Sequence, residues 1–233
     1  MFPLKESTVS SSLVFVVALY VPLVVIILLE LCKCWHRYNY KDVGILHLWP
    51  LYNTLRYFLF GYEAQSLLAR MTKHTVGRLR PYFFAVCQPL LTHGSTCLNS
   101  TNGFYHTNYA CRSDMPYNVR YSFPSGHSAR IFYGLIFMAL YLQVHRGRRW
   151  RSVGVGSTLL WPLCQLACVM FATFVALVRV VDHKHHWSDV LAGALLGASI
   201  AFVTVRGAMA EALAERQRLR HVSSVQAPPL HRV

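Results

Sequence analysis

The feature that most constrains the fold is an unbroken apolar block at residues 11–32, SSLVFVVALYVPLVVIILLELC. A helix needs about 20 mainly apolar residues to cross a bilayer, and this block is long enough. Four more apolar stretches follow, at about 48–69, 128–144, 157–178 and 190–205. We therefore predict an all-α, polytopic membrane helix bundle of about five spans. Because Arg56 and Glu63 interrupt the stretch 48–69, an alternative prediction for it is a helix that lies at the membrane interface.

The distribution of basic residues predicts how these spans are oriented. The formal net charge is +14, which in a soluble protein would suggest nucleic acid, but here the basic residues lie mainly between apolar blocks. The first connection, the third connection and the tail after residue 205 are all basic, so the positive-inside rule places them in the cytosol. The loop 70–127 and the connection 179–189 then face outward, and no nucleic-acid partner is expected.

Two features of the loop 70–127 agree with an outward orientation. Asn99-Ser100-Thr101 is a glycosylation sequon, so Asn99 is the predicted acceptor. Cys87, Cys97 and Cys111 lie in the same loop, where one disulfide is expected, and the sequence leaves the pairing open. Residues 1–206 are thus predicted to form one membrane-embedded domain. Residues 207–233 are predicted to be a disordered cytosolic tail.

Three clusters of ionisable residues abut the spans on the predicted outer side. They are KHTVGRLRP at 73–81, FPSGHS at 123–128 and RVVDHKHHWSDV at 179–190. The first follows the second span, the next precedes the third span, and the last joins the fourth and fifth spans. All three clusters can therefore meet at one surface of the membrane. Ionisable groups at the ends of spans are candidates for a functional site.

The side chains of these clusters are the parts of a phosphate-transfer site. Arginine forks and lysine ammonium groups bind phosphate oxygens, and the candidates are Lys73, Arg78, Arg80 and Arg179. Ser125 and Gly126 precede a predicted helix start, where backbone N–H groups favour an anion. His185 and Asp189 are four residues apart, so on a helix the carboxylate could fix the imidazole tautomer for nucleophilic attack. His127 supplies a second histidine for the leaving group.

Taken together, the motifs resemble a known family. Lys73-x6-Arg80-Pro81, Pro124-Ser125-Gly126-His127 and Arg179-x5-His185-x3-Asp189 are similar to the three-part signature of the type-2 phosphatidic acid phosphatase superfamily. The strings GRLRP and KHHWSDVLAG resemble its lipid phosphate phosphatase branch, which includes the wunen-like proteins. The resemblance runs from about residue 5 to near the end of the chain.

The resemblance implies a role for each matching residue. His185 would be the nucleophile that forms a phosphohistidine, Asp189 would orient it, and His127 would protonate the leaving alkoxide. The phosphate would be held by Lys73, Arg80, Ser125, Gly126 and Arg179. No metal or other cofactor is expected.

The resemblance also implies the substrates and their location. They would be phosphatidate, lysophosphatidate, sphingosine 1-phosphate or related lipids, taken from the outer or luminal leaflet of the plasma membrane or an endomembrane. The partners are thus lipid phosphates and the bilayer, and assembly into a homo-oligomer stays open.

The sequence departs from the family pattern in two ways. The third motif of the family begins Ser-Arg, whereas Val178 precedes Arg179 here, which removes a hydroxyl that could assist phosphate binding. The family usually has six spans, and the segment 11–32 corresponds to the second of them. Both departures motivate an alternative hypothesis, a catalytically weak or inactive relative that binds lipid or a partner protein.

Two other readings of the sequence are weaker. The tract His183, His185 and His186 could bind a metal ion, as in a transporter or a metalloenzyme, but this leaves KHTVGRLRP and PSGH unexplained. A phosphatase that acts on sugar phosphates is the other alternative. It fits the lipid-acting strings less well.

Overall fold

The computed structural model describes residues 2–38, 48–91, 109–112, 117–149 and 156–225. The first helix runs without a break through α1 (Ser11–Phe15), a π-helical turn (Val16–Tyr20) and α2 (Val21–Tyr38). The other helices are α3 (Trp49–Val76), α4 (Phe83–Cys87), α5 (Gly126–Arg149), α6 (Gly156–Val181) and α7 (Trp187–Val225). Two short strands, β1 (Pro89–Leu91) and β2 (Tyr109–Cys111), and a 3-10 turn (Tyr117–Arg120) lie between α4 and α5.

Every predicted span coincides with a helix, and the predicted all-α membrane bundle is confirmed. Three segments within the described ranges are long and apolar enough to cross a membrane, namely Ser11–Cys32, Leu159–Val181 and Trp187–Glu215. The helices α3 and α5 do not reach that hydropathy. For α5 the reason is its central position, since it packs against the first helix, α3, α6 and α7. A helix enclosed by its neighbours meets little lipid, so it tolerates more polar residues.

Small residues bring α5 and α7 into close contact. A methyl group on Gly193 would collide with the carbonyl oxygen of Ser125, and one on Gly197 would collide with that of Ala129. Only the absence of a side chain lets the two backbones approach so closely. The close packing of α7 on α5 thus depends on these glycines. It also fixes the first turn of α5 beside the first turn of α7.

The predicted disordered tail is wrong for residues 207–225, because α7 continues to Val225. The segment AMAEALAERQRLR is rich in strong helix formers. It is also anchored to α3, since Asn53 Nδ2 donates to the carbonyl of Ala208 at 3.0 Å and Arg56 pairs with Glu211 at 2.5 Å. The same ion pair explains why Arg56 interrupts the second apolar stretch. Residues 226–233 lie outside the described part of the chain.

Strand pairing, a disulfide and backbone hydrogen bonds join the two ends of the outer loop. They hold the first ionisable cluster (73–81) against the second (123–128). Strand β1 pairs antiparallel with β2, and a disulfide joins Cys87 to Cys111, which answers the open question of pairing. The N–H of Arg80 donates to the carbonyl of Val119 at 3.0 Å, and the N–H of Ser122 donates to that of Arg78 at 2.9 Å. Cys97 and Asn99 lie outside the described residues.

Candidate active site

The structure brings the three ionisable clusters together at one end of the bundle. The N–H of Ser125 donates to the carbonyl of Asp189 at 2.9 Å, which joins the second cluster to the third. Arg78 Nη1 donates to Asp189 Oδ1 at 2.6 Å, which joins the first cluster to the third. A methyl group on Gly126 would lie 3.1 Å from Lys73 Nζ, so the first and second clusters also touch. The meeting expected from the order of the spans is therefore present.

The connection between α6 and α7 folds back on itself at His183. This residue has a positive φ of 55°, in the left-handed region. Its N–H donates to the carbonyl of Val180, and the N–H groups of Lys184 and His185 donate to that of Arg179, at 2.9, 3.1 and 3.3 Å. This pattern is a Schellman motif, which satisfies the last carbonyls of α6. It places His185 directly beside the last turn of α6, next to Arg179.

A backbone carbonyl holds the imidazole of His185. The side chain is 3% exposed, and its Nδ1–H donates to the carbonyl of Ser122 at 2.7 Å. A carbonyl only accepts hydrogen bonds, so Nδ1 carries the proton and Nε2 keeps a lone pair. Asp189 Oδ2 is 3.9 Å from Nδ1, beyond hydrogen-bond distance. The expected direct contact between Asp189 and His185 is thus replaced by Ser122, which sequence spacing could not reveal.

Asp189 contacts the groups around His185 instead of its imidazole. The carboxylate is fully buried, and Oδ2 accepts from Ser122 Oγ at 2.5 Å. The same oxygen accepts from the N–H and the Nδ1 of His186, at 3.0 and 3.1 Å, so Asp189 also caps the start of α7. Arg78, which sequence reasoning grouped with the phosphate-binding cations, is instead the ion-pair partner of Asp189.

Two arginines, one buried and one half-buried, each have a buried hydrogen-bond donor with no partner in the described part of the chain. The Nε atoms of Arg80 and Arg179 are buried, and neither has a partner among the described residues. The side chain of Arg179 is only 2% exposed. Its Nη2 donates to Asp182 at 2.9 Å, but its Nε is not used in this pairing. Buried donors are nearly always paired in native proteins, so these two would be available to an anion. Both arginines were predicted to hold phosphate.

The start of α5 offers fewer free backbone N–H groups to an anion than the sequence suggested. Helix α5 begins at Gly126, as expected, but the N–H of Ser125 is already used by Asp189. The fully buried Ser125 Oγ accepts from Ser128 Oγ at 3.1 Å. The ammonium group of Lys73 lies next to Gly126. Burial, followed by the charges of Arg80 and Arg130, lowers the pKa of Lys73 to about 8. An anion reaching Gly126 would therefore also meet the ammonium group of Lys73.

Burial and neighbouring cations favour the neutral form of both candidate histidines when the site holds no phosphate. Burial, followed by the charges of nearby cations of which Arg179 is the largest, lowers the pKa of His127 to about 3. Burial and then the charges of Arg80 and Lys73 hold the pKa of His185 well below its ordinary value. A neutral imidazole is the form that can attack phosphorus. His127 Nε2 lies 3.1 Å from Ser11 Oγ, a contact between distant segments that has no signal in the sequence.

The remaining histidines of the third cluster face different partners. The ring of His183 lies against Phe2, with 4.7 Å between the ring centres, whereas His186 contacts Asp189. Within the described ranges there is no group of three or more His, Cys, Asp or Glu side chains that could hold a metal ion. Val178 packs against the hydrophobic core, and its carbonyl accepts from the N–H of Asp182 at 2.8 Å.

Comparison with known proteins assigns the family. Residues 54–211, which contain all three clusters, match the PAP2 superfamily. The chain belongs to the PAP2 superfamily. It is 34% identical to phospholipid phosphatase 1 of Rattus norvegicus over 208 residues, 88% of this chain and 70% of that protein. It is 38% identical to phospholipid phosphatase 2 of Mus musculus over 177 residues, 75% of this chain and 58% of that protein.

A third relative belongs to Drosophila melanogaster and carries the provisional name phosphatidate phosphatase. It is 36% identical over 221 residues, 86% of this chain and 56% of that protein. The chain thus spans between about half and 70% of the length of these PAP2 relatives. No solved structure matches it. The apolar helices and the phospholipid phosphatase relatives together identify an integral membrane protein.

Proposed function

We propose that this chain is a lipid phosphate phosphatase that works through a phosphohistidine on His185. The observation that carries the proposal is the fixed imidazole of His185, whose Nδ1–H is held by Ser122 and whose Nε2 keeps its lone pair. Nearby, Arg179 and Arg80 each have a buried Nε donor that no described residue pairs. The names of the relatives favour phospholipid substrates, and the flanking apolar helices would place the site near lipid headgroups.

The reaction would proceed in two displacements. In the first, His127 has taken up a proton from solvent as the phosphate bound, the Nε2 lone pair of His185 attacks phosphorus, the ester P–O bond breaks, and the leaving alkoxide takes that proton from His127. In the second, water attacks the phosphohistidine while His127 takes a proton from it, and the P–N bond breaks. The products are the lipid alcohol and inorganic phosphate. The phosphate dianion offsets the cations that lower the pKa of His127, so its arrival would raise that pKa.

The positive charge for this reaction would come from side chains. Phosphoryl transfer depends mostly on positioning and charge stabilisation. Lys73, Arg80 and Arg179 would supply both, in the role that metal ions play in other phosphatases. We therefore propose a metal-independent enzyme that acts on phosphatidate, lysophosphatidate, sphingosine 1-phosphate or related lipids.

The decisive experiment measures phosphate release from phosphatidate and lysophosphatidate by the purified chain, with excess EDTA and without it. We expect release from both lipids, unchanged by EDTA and absent in His185→Ala. Glucose 6-phosphate serves as the soluble comparison and should be a poor substrate. Loss of activity on chelation with recovery on adding a divalent cation would contradict the metal-independent mechanism. No release from any lipid phosphate would favour an inactive relative that binds lipid.

The site is further proposed to face the extracellular or luminal side, at the plasma membrane or an endomembrane. The loop charges support this orientation, and Asn99 tests it because it lies in the loop 70–127. We expect a glycosidase to increase the gel mobility of the wild-type protein expressed in animal cells, and to leave that of Asn99→Gln unchanged. An epitope inserted at residue 148 should be inaccessible from outside intact cells. Labelling of that epitope from outside would overturn the orientation.

A further inference from the structure

Residues 8 and 9, just before the first helix, contact the third cluster, although they belong to none of the three clusters. The N–H of Thr8 donates to Asp182 Oδ2 at 3.0 Å, and its hydroxyl donates to Asp182 Oδ1 at 2.7 Å. The two donors of one residue thus engage both oxygens of one carboxylate. This two-point contact fixes the plane of the carboxylate as well as its position. Thr8 itself is exposed, whereas Asp182 is 3% exposed.

The carboxylate of Asp182 in turn holds Arg179. Asp182 Oδ2 accepts from Arg179 Nη2 at 2.9 Å, and the carbonyl of Val9 accepts from Arg179 Nη1 at 3.3 Å. These two acceptors occupy one donor on each terminal nitrogen of the guanidinium group. The Nε–H is left buried and without a partner among the described residues. Residues 8 and 9 therefore determine, together with Asp182, which edge of Arg179 faces the site.

The same contacts keep Asp182 charged. Burial alone would raise the pKa of this carboxyl, but the hydrogen bonds from Thr8 and the pairing with Arg179 outweigh burial and lower it. An ionised Asp182 is a strong acceptor for a guanidinium group. Without the Thr8 hydroxyl, Oδ1 would lose a donor and the carboxylate could turn about its side-chain bond. Arg179 would then lose its fixed orientation.

We infer that Thr8 is a positioning residue for phosphate binding, which orients Arg179 through Asp182. The inference rests on the proposed role of Arg179 as a phosphate ligand. Thr8 lies outside the segments matched by the three motifs and outside the residues 54–211 that match the superfamily. Its effect is exerted on the bound phosphate through two hydrogen-bonded links. Thr8 itself does not need to touch the substrate.

The test compares Thr8→Val, which removes the hydroxyl but keeps the shape, with Thr8→Ser, which keeps the hydroxyl. The first readout is binding of inorganic phosphate, followed as the rise in melting temperature with phosphate concentration. The second is kcat/KM for lysophosphatidate. We expect Thr8→Val to weaken phosphate binding and to lower kcat/KM, each about tenfold, the scale of one hydrogen bond to a charged group. Thr8→Ser should stay within about twofold of wild type.

Two controls make the result specific. Thr173→Val removes a hydroxyl that donates to the carbonyl of Val169, on an exposed face of α6, and should leave both readouts unchanged. In an Asp182→Asn background, Thr8→Val should have little further effect, because the two residues act through one path. A full, additive loss in that background would contradict the path through Asp182.

The outcomes separate this inference from the proposed function. Phosphate binding by Thr8→Val equal to that of wild type overturns the inference, as does an equal loss in Thr8→Val and Thr8→Ser. A lower melting temperature with unchanged phosphate binding would show a merely structural role and would also overturn it. If the wild type binds phosphate but releases none from lipids, the proposed function fails, while the binding comparison still decides the role of Thr8.

Discussion

Replacing His185 with alanine is expected to abolish both the phosphoenzyme and the hydrolysis of lipid phosphates. The substitution removes the one imidazole whose Nδ1–H is held by the carbonyl of Ser122 and whose Nε2 retains its lone pair. Loss of a covalent nucleophile costs on the order of 10⁶-fold in kcat. The measurement is acid-labile label trapped on the protein after brief exposure to a labelled lipid phosphate. A wild-type level of that label in His185→Ala would exclude His185 as the nucleophile.

Two neighbouring histidines provide matched controls for this substitution. The His183 side chain lies against Phe2, so His183→Ala should retain most of the phosphoenzyme. His186→Ala removes a ring contact with Asp189 but keeps the backbone N–H that caps the same carboxylate, so its loss should be moderate. If either variant lost the phosphoenzyme as completely as His185→Ala, the local fold rather than the nucleophile would explain the result.

The second large effect is expected for His127→Ala, which removes the proposed proton donor. General acid catalysis typically contributes 10²–10⁴-fold, and hydrolysis of lysophosphatidate should fall by about that factor. An activated aryl phosphate has a leaving group that needs little protonation. Its rate of phosphoenzyme formation should therefore recover part of the loss. The measurement is the rate of labelling by both substrates in wild type and His127→Ala.

Ser11→Ala is the control for the position of His127. It removes the hydroxyl 3.1 Å from Nε2 while keeping the imidazole, so it should cost much less than His127→Ala with either substrate. An equal loss in His127→Ala with the lipid and the aryl phosphate would contradict the proton-donor role. It would instead indicate that His127 supports phosphate binding or the local structure.

Geometry suggests why the close packing of α5 on α7 matters for this chemistry. Gly193 allows the backbone of Ser125 to approach, and the N–H of Ser125 then donates to the carbonyl of Asp189. This contact fixes the start of α5, which carries Gly126 and His127, relative to the start of α7. His127, proposed to donate a proton, lies in the first turn of α5, and His185, proposed to attack, lies in the connection just before α7, so this contact helps to fix one relative to the other.

The sequence by itself determined the helices and their approximate limits, because apolar blocks of membrane length can satisfy their backbone groups only as helices in a bilayer. It also determined which residues meet, since three short clusters adjoin the spans on one predicted side. It failed at residues 207–225, where polar composition suggested disorder but contacts with Asn53 and Arg56 support a helix.

Only the tertiary structure decided the hydrogen-bond partners within the site. The spacing of four residues suggested that Asp189 holds His185. In the structure Asp189 caps the start of α7, and the carbonyl of Ser122, at the end of the outer loop, binds the imidazole of His185. Likewise, Arg78 pairs with Asp189, and Thr8 holds Asp182 across 174 residues of sequence. Sequence periodicity reports which face of a helix a residue occupies. Contacts between distant segments depend on how the helices pack, so they had no local signal.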